Sequence, residues 1–397
     1  MPNRSHDVLV SRTVHWLFAD AAGLAGDPPA WPSSLSGPPG HRPVQLLREA
    51  LDLHRGWPLL ARRGGRIPGL PVEISAEAVS RRQRAVMEHL VVENDLAMVA
   101  ETFDAAGLAW ACLKGPVLDE AYRRRGESRS YGDLDVLVAP GSFHAALTAL
   151  GERGVGLRDR NWRLMREQVP GEVDLLTGRR TVIDLHWSLV NQSARRSRLR
   201  LPSADLLSRA VRVDLGGVVG PVPTLSPPDA LVHLCLHAAA SGGMKLTWLL
   251  DVTLAASDPD LDWDETARTA RAWGTERATA LVLGRAARHL GAPVPRATVR
   301  ALQGHSGWGV ADAAVQTSAA LWSATPPASA RHLARGSLES DNVVRMLLAR
   351  ARRRMTDPTP REPFVPGPTH PGSALYPSGT PEDLTHYLRT VTAMGTR

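Results

Sequence analysis

The chain has 397 residues, of which 43% are hydrophobic, so it is long enough for two or three domains with ordinary buried cores. Its two cysteines, Cys112 and Cys235, are too few for a disulfide framework or a structural zinc site, which indicates a reducing, cytoplasmic compartment. Charged residues interrupt the N-terminal segment before it reaches the length of a signal sequence. No apolar run approaches the roughly 20 residues of a membrane span, so we expect no membrane partner.

The formal charge of +7 would ordinarily suggest nucleic acid as a partner, because clustered Lys and Arg neutralise phosphates. Only Lys114 and Lys245 are lysines among the 47 basic residues, however, and Ala, Gly and Pro are abundant. This skew is typical of translation from a GC-rich genome, so the arginine content says little about partners. Nucleic acid is therefore not the expected partner, and the two retained lysines become candidates for a chemical role.

The first 74 residues predict a loosely packed helical appendage, with helices over 8–22 and 44–54 around a Pro/Gly stretch at 26–43. From Ser75 onwards, the helical spacing of the apolar residues predicts one long helix that ends at Gly107. This helix opens the segment that carries most of the candidate functional residues.

The segment from 75 to 224 is predicted to be an α/β core with a mixed sheet. Its β-type segments lie at 110–113, 133–139, 172–176 and 181–187, and a helix is predicted over 141–153. The last two β-type segments flank Thr-Gly-Arg-Arg at 177–180, a sequence that suits a hairpin turn.

The remainder of the chain predicts helices and then a tail. Residues 225–352 contain successive helical patterns without an intervening β-rich segment, so we expect an all-helical domain there. Residues 353–397 are predicted to be a Pro-rich tail or wrapping segment, because 355–380 is too poor in apolar residues to build a core. The predicted fold class is therefore α+β.

Acidic residues recur with strand spacing in two of the predicted strands. Alternation along a strand places Asp133 and Asp135 on one face, and it places Asp184 on one face with His186. If the two strands are neighbours, three carboxylates meet at one edge. Oxygen ligands of this kind bind Mg²⁺, which bridges nucleotide phosphates in phosphoryl-type transfer.

Alternating aspartates at 258–264 have similar spacing but a different context. Pro259 and the helical pattern that follows predict a loop and a helix N-cap at this place, so a metal role is not expected. The pair at Asp133 and Asp135 differs, since it has an apolar strand face beside it and a glycine turn before it.

These motifs together resemble the uncharacterised nucleotidyltransferase family of the DNA polymerase β-like superfamily. The resemblance covers roughly 80–255 and rests on separated motifs in the right order. They are Leu113-Lys114-Gly115, then Arg129-x-Tyr131-Gly132-Asp133-Leu134-Asp135, then Ile183-Asp184-Leu185-His186-Trp187, and the helical pair Leu231–His237 and Leu246–Asp251. The glycine motif departs from the superfamily pattern, because Gly115 lies 18 residues before Asp133.

The resemblance implies a role for each matching residue. Asp133, Asp135 and Asp184 would hold Mg²⁺, with Asp184 also a candidate base toward the acceptor hydroxyl. Lys114, Gly115 and Arg129 would contact the nucleotide, although a surface position for Lys114 and a structural ion pair for Arg129 remain open. Further matching positions could line a cleft between domains: His186, His237, Lys245 and Asp251.

The function that this resemblance implies is Mg²⁺-dependent transfer of a nucleoside monophosphate from an NTP, with ATP the expected donor, and release of pyrophosphate. A hydroxyl of a small molecule or a peptide is the expected acceptor. The alternative is a catalytically degenerate protein that binds a nucleotide or a nucleic acid through its arginines.

Overall fold

The computed structural model describes residues 4–32, 42–124, 126–127, 129–316, 328–356 and 367–395. The chain forms two compact units. The first comprises 1–87, 121–130 and 227–351, and the second comprises 88–120, 131–226 and 352–397. Parts of the Pro/Gly stretch (33–41) and of the Pro-rich tail (357–366) lie outside the described residues.

The secondary structure of the described residues is mainly helical. The helices are α1 Arg4–Ala21, α2 Arg42–His54, α3 Trp57–Arg63, α4 Val72–Ala105, α5 Pro116–Arg123, α6 Phe143–Glu152, α7 Trp162–Gln168, α8 Ser193–Arg196, α9 Ser203–Ser208, α10 Pro227–Ala240, α11 Leu246–Ala256, α12 Trp263–Trp273, α13 Glu276–Leu290, α14 Arg296–Gln303, α15 Trp308–Gln316, α16 Ala328–Gly336, α17 Val343–Thr356 and α18 Pro381–Met394. The strands are β1 Trp110–Cys112, β2 Asp133–Val138, β3 Gly156–Leu157, β4 Glu172–Leu176, β5 Val182–His186, β6 Val211–Asp214 and β7 Pro221–Thr224.

The second unit is built on one mixed sheet with strand order β3-β4-β5-β2-β1-β7-β6. Strand β2 runs parallel to β5 and antiparallel to β1, while β4 and β5 form an antiparallel hairpin. This arrangement confirms the α+β fold class, the hairpin and the adjacency of the two aspartate-bearing strands that the sequence predicted.

One face of this sheet forms the core of the second unit. The even positions of β2 and the odd positions of β5 are fully buried, because alternation turns their side chains away from the aspartates. Helix α4 packs against this face. The buried residues of this core include Leu96, Val99, Phe103, Leu134, Val136, Ile183 and Leu185. The opposite face is therefore the one that carries the polar residues.

The described residues of the first unit form helices and loops without a strand, and they include the N-terminal helices. The sequence suggested a loosely packed appendage over 1–74, whereas α1 packs against α2, α3, α11 and α13. Val14, Leu17 and Leu47 are fully buried, since each helix presents an apolar stripe to its neighbours. Arg285 is also fully buried and is paired with Asp312 at 2.7 Å.

The C-terminal segment also differs from the predicted tail. Helix α18 begins with a capping box at Thr380 and Asp383, and its Tyr387 and Val391 are buried in the core of the second unit. The Pro-rich composition before residue 380 obscured this amphipathic helix. In the described parts of the chain, no helix is long and apolar enough to cross a membrane.

Candidate active site

A row of polar residues crosses three neighbouring strands on the face of the sheet opposite the core. The strand register sets Asp135 of β2 opposite Asp184 of β5, and it sets Asp184 opposite Asp174 of β4. Paired residues in a sheet point to the same face with their Cβ atoms about 5 Å apart. The fold therefore brings carboxylates from three strands to one place.

Three of these side chains form a compact group. One ligand atom from each of Asp135, Asp184 and His186 lies within 4.8 Å of the others. Nζ of Lys114, just after β1, lies 2.8 Å from Oδ1 of Asp135. His186 bridges two carboxylates, with Nε2 3.2 Å from Asp135 and Nδ1 3.0 Å from Glu172. The buried carboxylate of Asp135 therefore lies between two cationic groups.

Asp133 lies two residues before Asp135 in β2 and on the same face of the sheet. Its Cα is paired with that of Val182, and its side chain is half-buried. Within the described residues, Asp133 is not a member of the group formed by Asp135, Asp184 and His186. The structure thus brings together two of the three aspartates expected from the sequence.

The cationic neighbours keep Asp135 ionised. Burial alone would raise the pKa of this carboxyl, but the charge of Lys114 and the hydrogen bond and charge of His186 outweigh it and hold the pKa well below the usual range. Burial would in turn lower the pKa of His186, yet Glu172 and Asp135 raise it to about 10. Near neutral pH, His186 is therefore an imidazolium that is hydrogen-bonded to Asp135 through Nε2 and ion-paired with Glu172 on its Nδ1 side.

The pKa of Asp184 is shifted in the opposite direction. Burial first, and then the negative charge of Asp135, raise the pKa of Asp184 to about 8. Asp174, which is paired with Asp184 across the hairpin, adds further negative charge that raises the pKa of Asp184. Two adjacent aspartates of this site therefore differ in protonation near neutral pH, with Asp135 ionised and Asp184 mainly neutral.

The donor set fits a divalent cation with a preference for oxygen. Asp135 and Asp184 offer carboxylate oxygens on one face, and a cation placed between them would compensate the repulsion that raises the pKa of Asp184. His186 is engaged as a cation with Asp135 and Glu172, so the carboxylates are the first donors available. This fit supports metal binding at the group.

The turn before α5 is adjacent to the carboxylates. Gly115 has a φ of +63°, and a Cβ built there would lie 3.4 Å from the backbone oxygen of Asp133. Its own carbonyl accepts a hydrogen bond from the N–H of Asp119, which begins the helix. A left-handed backbone beside β2 explains why glycine occupies this position.

The other expected site residues belong to the first unit. Arg129 makes a two-point contact with Asp251, at 3.0 and 3.1 Å, and both side chains are buried. Lys245 lies over the ring of Trp248 at 4.5 Å, and His237 meets the same ring edge-on. In this unit Arg129 and Asp251 form a structural ion pair, while the cleft role of His237, Lys245 and Asp251 stays a prediction.

Two members of the polar row were not identified from the sequence. Glu172 and Asp174 alternate in β4, and the hairpin register pairs them with His186 and Asp184. The sequence contained the information needed to place them, because a hairpin turn at 177–180 fixes which residues of the two strands are paired. The prediction of a helix N-cap among the aspartates at 258–264 is confirmed, since Asp262 accepts hydrogen bonds from the first turn of α12.

The mixed sheet carries a buried carboxylate group next to a Lys-Gly turn, an arrangement that fits an enzyme that transfers phosphorus-containing groups. The model of the family described as uncharacterised nucleotidyltransferase matches residues 44–291, more than half of the chain. The chain belongs to this family, as the sequence motifs indicated, and membership implies a nucleoside triphosphate substrate. A comparison with curated proteins gave no significant match.

Proposed function

We propose that this protein transfers a nucleoside monophosphate from an NTP to a hydroxyl acceptor, in a reaction that depends on Mg²⁺ and releases pyrophosphate. The observation that carries the proposal is the in-register pairing of Asp135 with Asp184, beside Lys114 and within a family of nucleotidyltransferases. ATP is the proposed donor, and a small molecule or a peptide is the proposed acceptor.

Asp135 and Asp184 are the proposed metal ligands, and Asp133, two residues before Asp135 on the same face of β2, is proposed to join them. When bound, Mg²⁺ would supply charge stabilisation for the phosphates in the transition state. Glu172 holds His186 against Asp135, so the orientation of the Asp135 carboxylate is fixed before substrate binds. This preorganisation favours the transition state because no side chain has to reorient.

Lys114 and Gly115 are the proposed triphosphate contacts. The ammonium group of Lys114 is next to the carboxylates, and the left-handed turn at Gly115 allows the backbone to approach a phosphate closely. Arg129 was expected in the same role, and it is retained as a candidate only if it exchanges Asp251 for a phosphate.

The proposed reaction is a displacement at the α-phosphorus. The acceptor hydroxyl oxygen forms a bond to this phosphorus, and the bond from the phosphorus to the oxygen bridging the α- and β-phosphates breaks. The electron pair leaves with pyrophosphate. A bound cation would offset the repulsion from Asp135 that raises the pKa of Asp184, and the Asp184 carboxylate, ionised in that state, is the proposed base that takes the hydroxyl proton. Atoms and charges balance without a further reactant.

The test is to incubate the protein with each α-labelled NTP, Mg²⁺ and a panel of hydroxyl acceptors, and to measure labelled product and pyrophosphate. Asp135→Asn and Asp184→Asn should abolish both signals. Asp262→Asn is the matched control, because asparagine also caps helices well and Asp262 is exposed. Nucleotide binding with steep salt dependence and no turnover would instead establish the alternative, a degenerate binding protein.

A further inference from the structure

The polar face of the sheet continues from the aspartates to a cavity at the β3 edge. This cavity has a volume of about 470 Å³, and all of its lining residues belong to the second unit. Those used below are Gly156, Arg158, Arg160, Leu176, Thr177 and Leu375. Two arginines and two leucines are thus among the residues that line the cavity.

The strand register places the cavity next to the candidate active site. Gly156 is paired with Leu176, and Leu176 follows Asp174 by two residues in β4, so both share the face of the aspartates. Asp174 is itself paired with Asp184. The cavity wall at Leu176 is therefore one strand and one side-chain repeat away from Asp184, a separation of roughly 8 Å.

The cavity and the Lys-Gly turn lie on opposite sides of the paired aspartates. Lys114 and Gly115 follow β1, which borders β2 on one side, whereas β4 and β3 lie beyond β5 on the other side. Attacking and leaving oxygens are roughly in line across the phosphorus in such transfers. If the pyrophosphate leaves toward Lys114, the acceptor hydroxyl has to arrive from the side of the cavity.

We infer that this cavity is the acceptor subsite, and that the acceptor carries an anionic group, a carboxylate or a phosphate, besides its reactive hydroxyl. The inference rests on the proposed function and adds the chemical class of the acceptor. It assigns a purpose to a cavity that the metal and nucleotide sites do not use.

The two arginines provide the argument for an anionic acceptor. A guanidinium group offers a planar set of donors that matches carboxylate and phosphate oxygens. Nη1 of Arg158 lies 3.3 Å from Asp174, the neighbour of Asp184, and its side chain is 39% exposed, so part of the group faces solvent. An anion held there would be anchored next to the carboxylates, while Leu176 and Leu375 contact its apolar part.

The glycines of the cavity allow it to be filled without disturbing the fold. A Cβ built at Gly156 meets no atom within 4 Å, and it would share the face of Leu176. Gly156→Leu should therefore occupy the cavity. Gly141→Leu is the matched control, because a Cβ at Gly141 also meets no atom within 4 Å and Gly141 lines a separate cavity in the same unit.

The experiment measures binding of three probes by saturation-transfer NMR, with Mg²⁺ and α,β-methylene-ATP present. The probes are N-acetylserine with a carboxylate, glycerol 3-phosphate with a phosphate, and neutral N-acetylserinamide. We expect an anionic probe to bind the parent and Gly141→Leu at least tenfold more tightly than the neutral probe. Gly156→Leu should lose at least tenfold in affinity for that probe, and Arg160→Gln should lose part of it.

The anionic probe that binds identifies the group, carboxylate or phosphate. Failure of both anionic probes to bind the parent would overturn the inference, and so would equal binding to Gly156→Leu and Gly141→Leu. Binding of α,β-methylene-ATP is measured in the same samples. If the proteins still bind α,β-methylene-ATP when the acceptor probes give either of these negative results, the proposed nucleotidyl transfer stands. If the parent protein does not bind α,β-methylene-ATP, the proposed function is refuted separately.

Discussion

The stability of the metal-free protein should respond in opposite directions to asparagine at Asp135 and at Asp184. Asp135 is 3% exposed and is held ionised by Lys114 and His186. Asp135→Asn leaves these cations without their carboxylate, and the loss of one partner from a buried ion pair costs about 3 kcal/mol or more. Both cations contribute to this cost, because the side chains of Lys114 and His186 are only 12% and 8% exposed.

Asp184→Asn should instead stabilise the metal-free protein at pH 7. Burial and the charge of Asp135 raise the pKa of Asp184 to about 8 from an ordinary value of 3.8. A raised pKa favours folding at low pH, and this advantage is lost as the pH rises from about 4 to 8. Each pH unit is worth about 1.4 kcal/mol, so aspartate is disfavoured by up to about 4 kcal/mol at pH 7, a penalty that neutral asparagine avoids.

The assay is urea unfolding at pH 7 with EDTA, followed by tryptophan fluorescence. The midpoint should fall for Asp135→Asn and rise for Asp184→Asn, and the gain for Asp184→Asn should fall to less than half at pH 5 and disappear near pH 4. Asp262→Asn, at the exposed cap of α12, should leave the midpoint unchanged. A stable Asp135→Asn together with a destabilised Asp184→Asn would refute the electrostatic description of the site.

Three further predictions follow from individual residues. Lys114→Ala should weaken NTP binding by about 1 to 3 kcal/mol in calorimetry. Lys114→Arg should recover only part of this binding energy, because a guanidinium group does not replace a compact ammonium group. Unchanged binding by both variants would shift the phosphate role to Arg129. Gly115→Ala should lower the thermal midpoint and nucleotide affinity together, since its φ of +63° disfavours a Cβ; an unaffected variant would contradict the tight turn. Burial lowers the pKa of His289 to about 4, so the stability that the neutral ring contributes is present above pH 6.5 and is lost as the pH falls through 4. His289→Gln should therefore reduce the fall of the thermal midpoint with acidification. An unchanged fall would exclude His289 as its source.

Much of the site could be predicted from the sequence because strand periodicity is local. Alternation in β2 and β5 put Asp135 and Asp184 on one face, and the hairpin turn joined β4 to β5. Strands β6 and β7 were not predicted, since β7 contains Pro221 and Pro223, and proline weakens a strand pattern. Helix α18 was hidden by the Pro-rich composition before it.

The electrostatics of the site could not be predicted, because they depend on contacts between distant segments. The sequence shows only a cluster of like charges, and the removal of one charge from such a cluster is expected to leave the fold intact. On this basis, replacing any one of the aspartates by asparagine should not unfold the protein. The contacts of Asp135 argue against this expectation, because its carboxylate lies between Lys114 and His186. Likewise, the pairing of Arg129 with Asp251 spans 122 residues, and no local pattern specifies it.

The most direct test of the account is the anomalous diffraction of a crystal grown with MnCl₂ and α,β-methylene-ATP. We predict an anomalous peak between Asp135 and Asp184, about 2.0 to 2.3 Å from an oxygen of each carboxylate, with the triphosphate next to Lys114. A well-ordered nucleotide without manganese at these carboxylates, or with manganese bound at other residues, would contradict it.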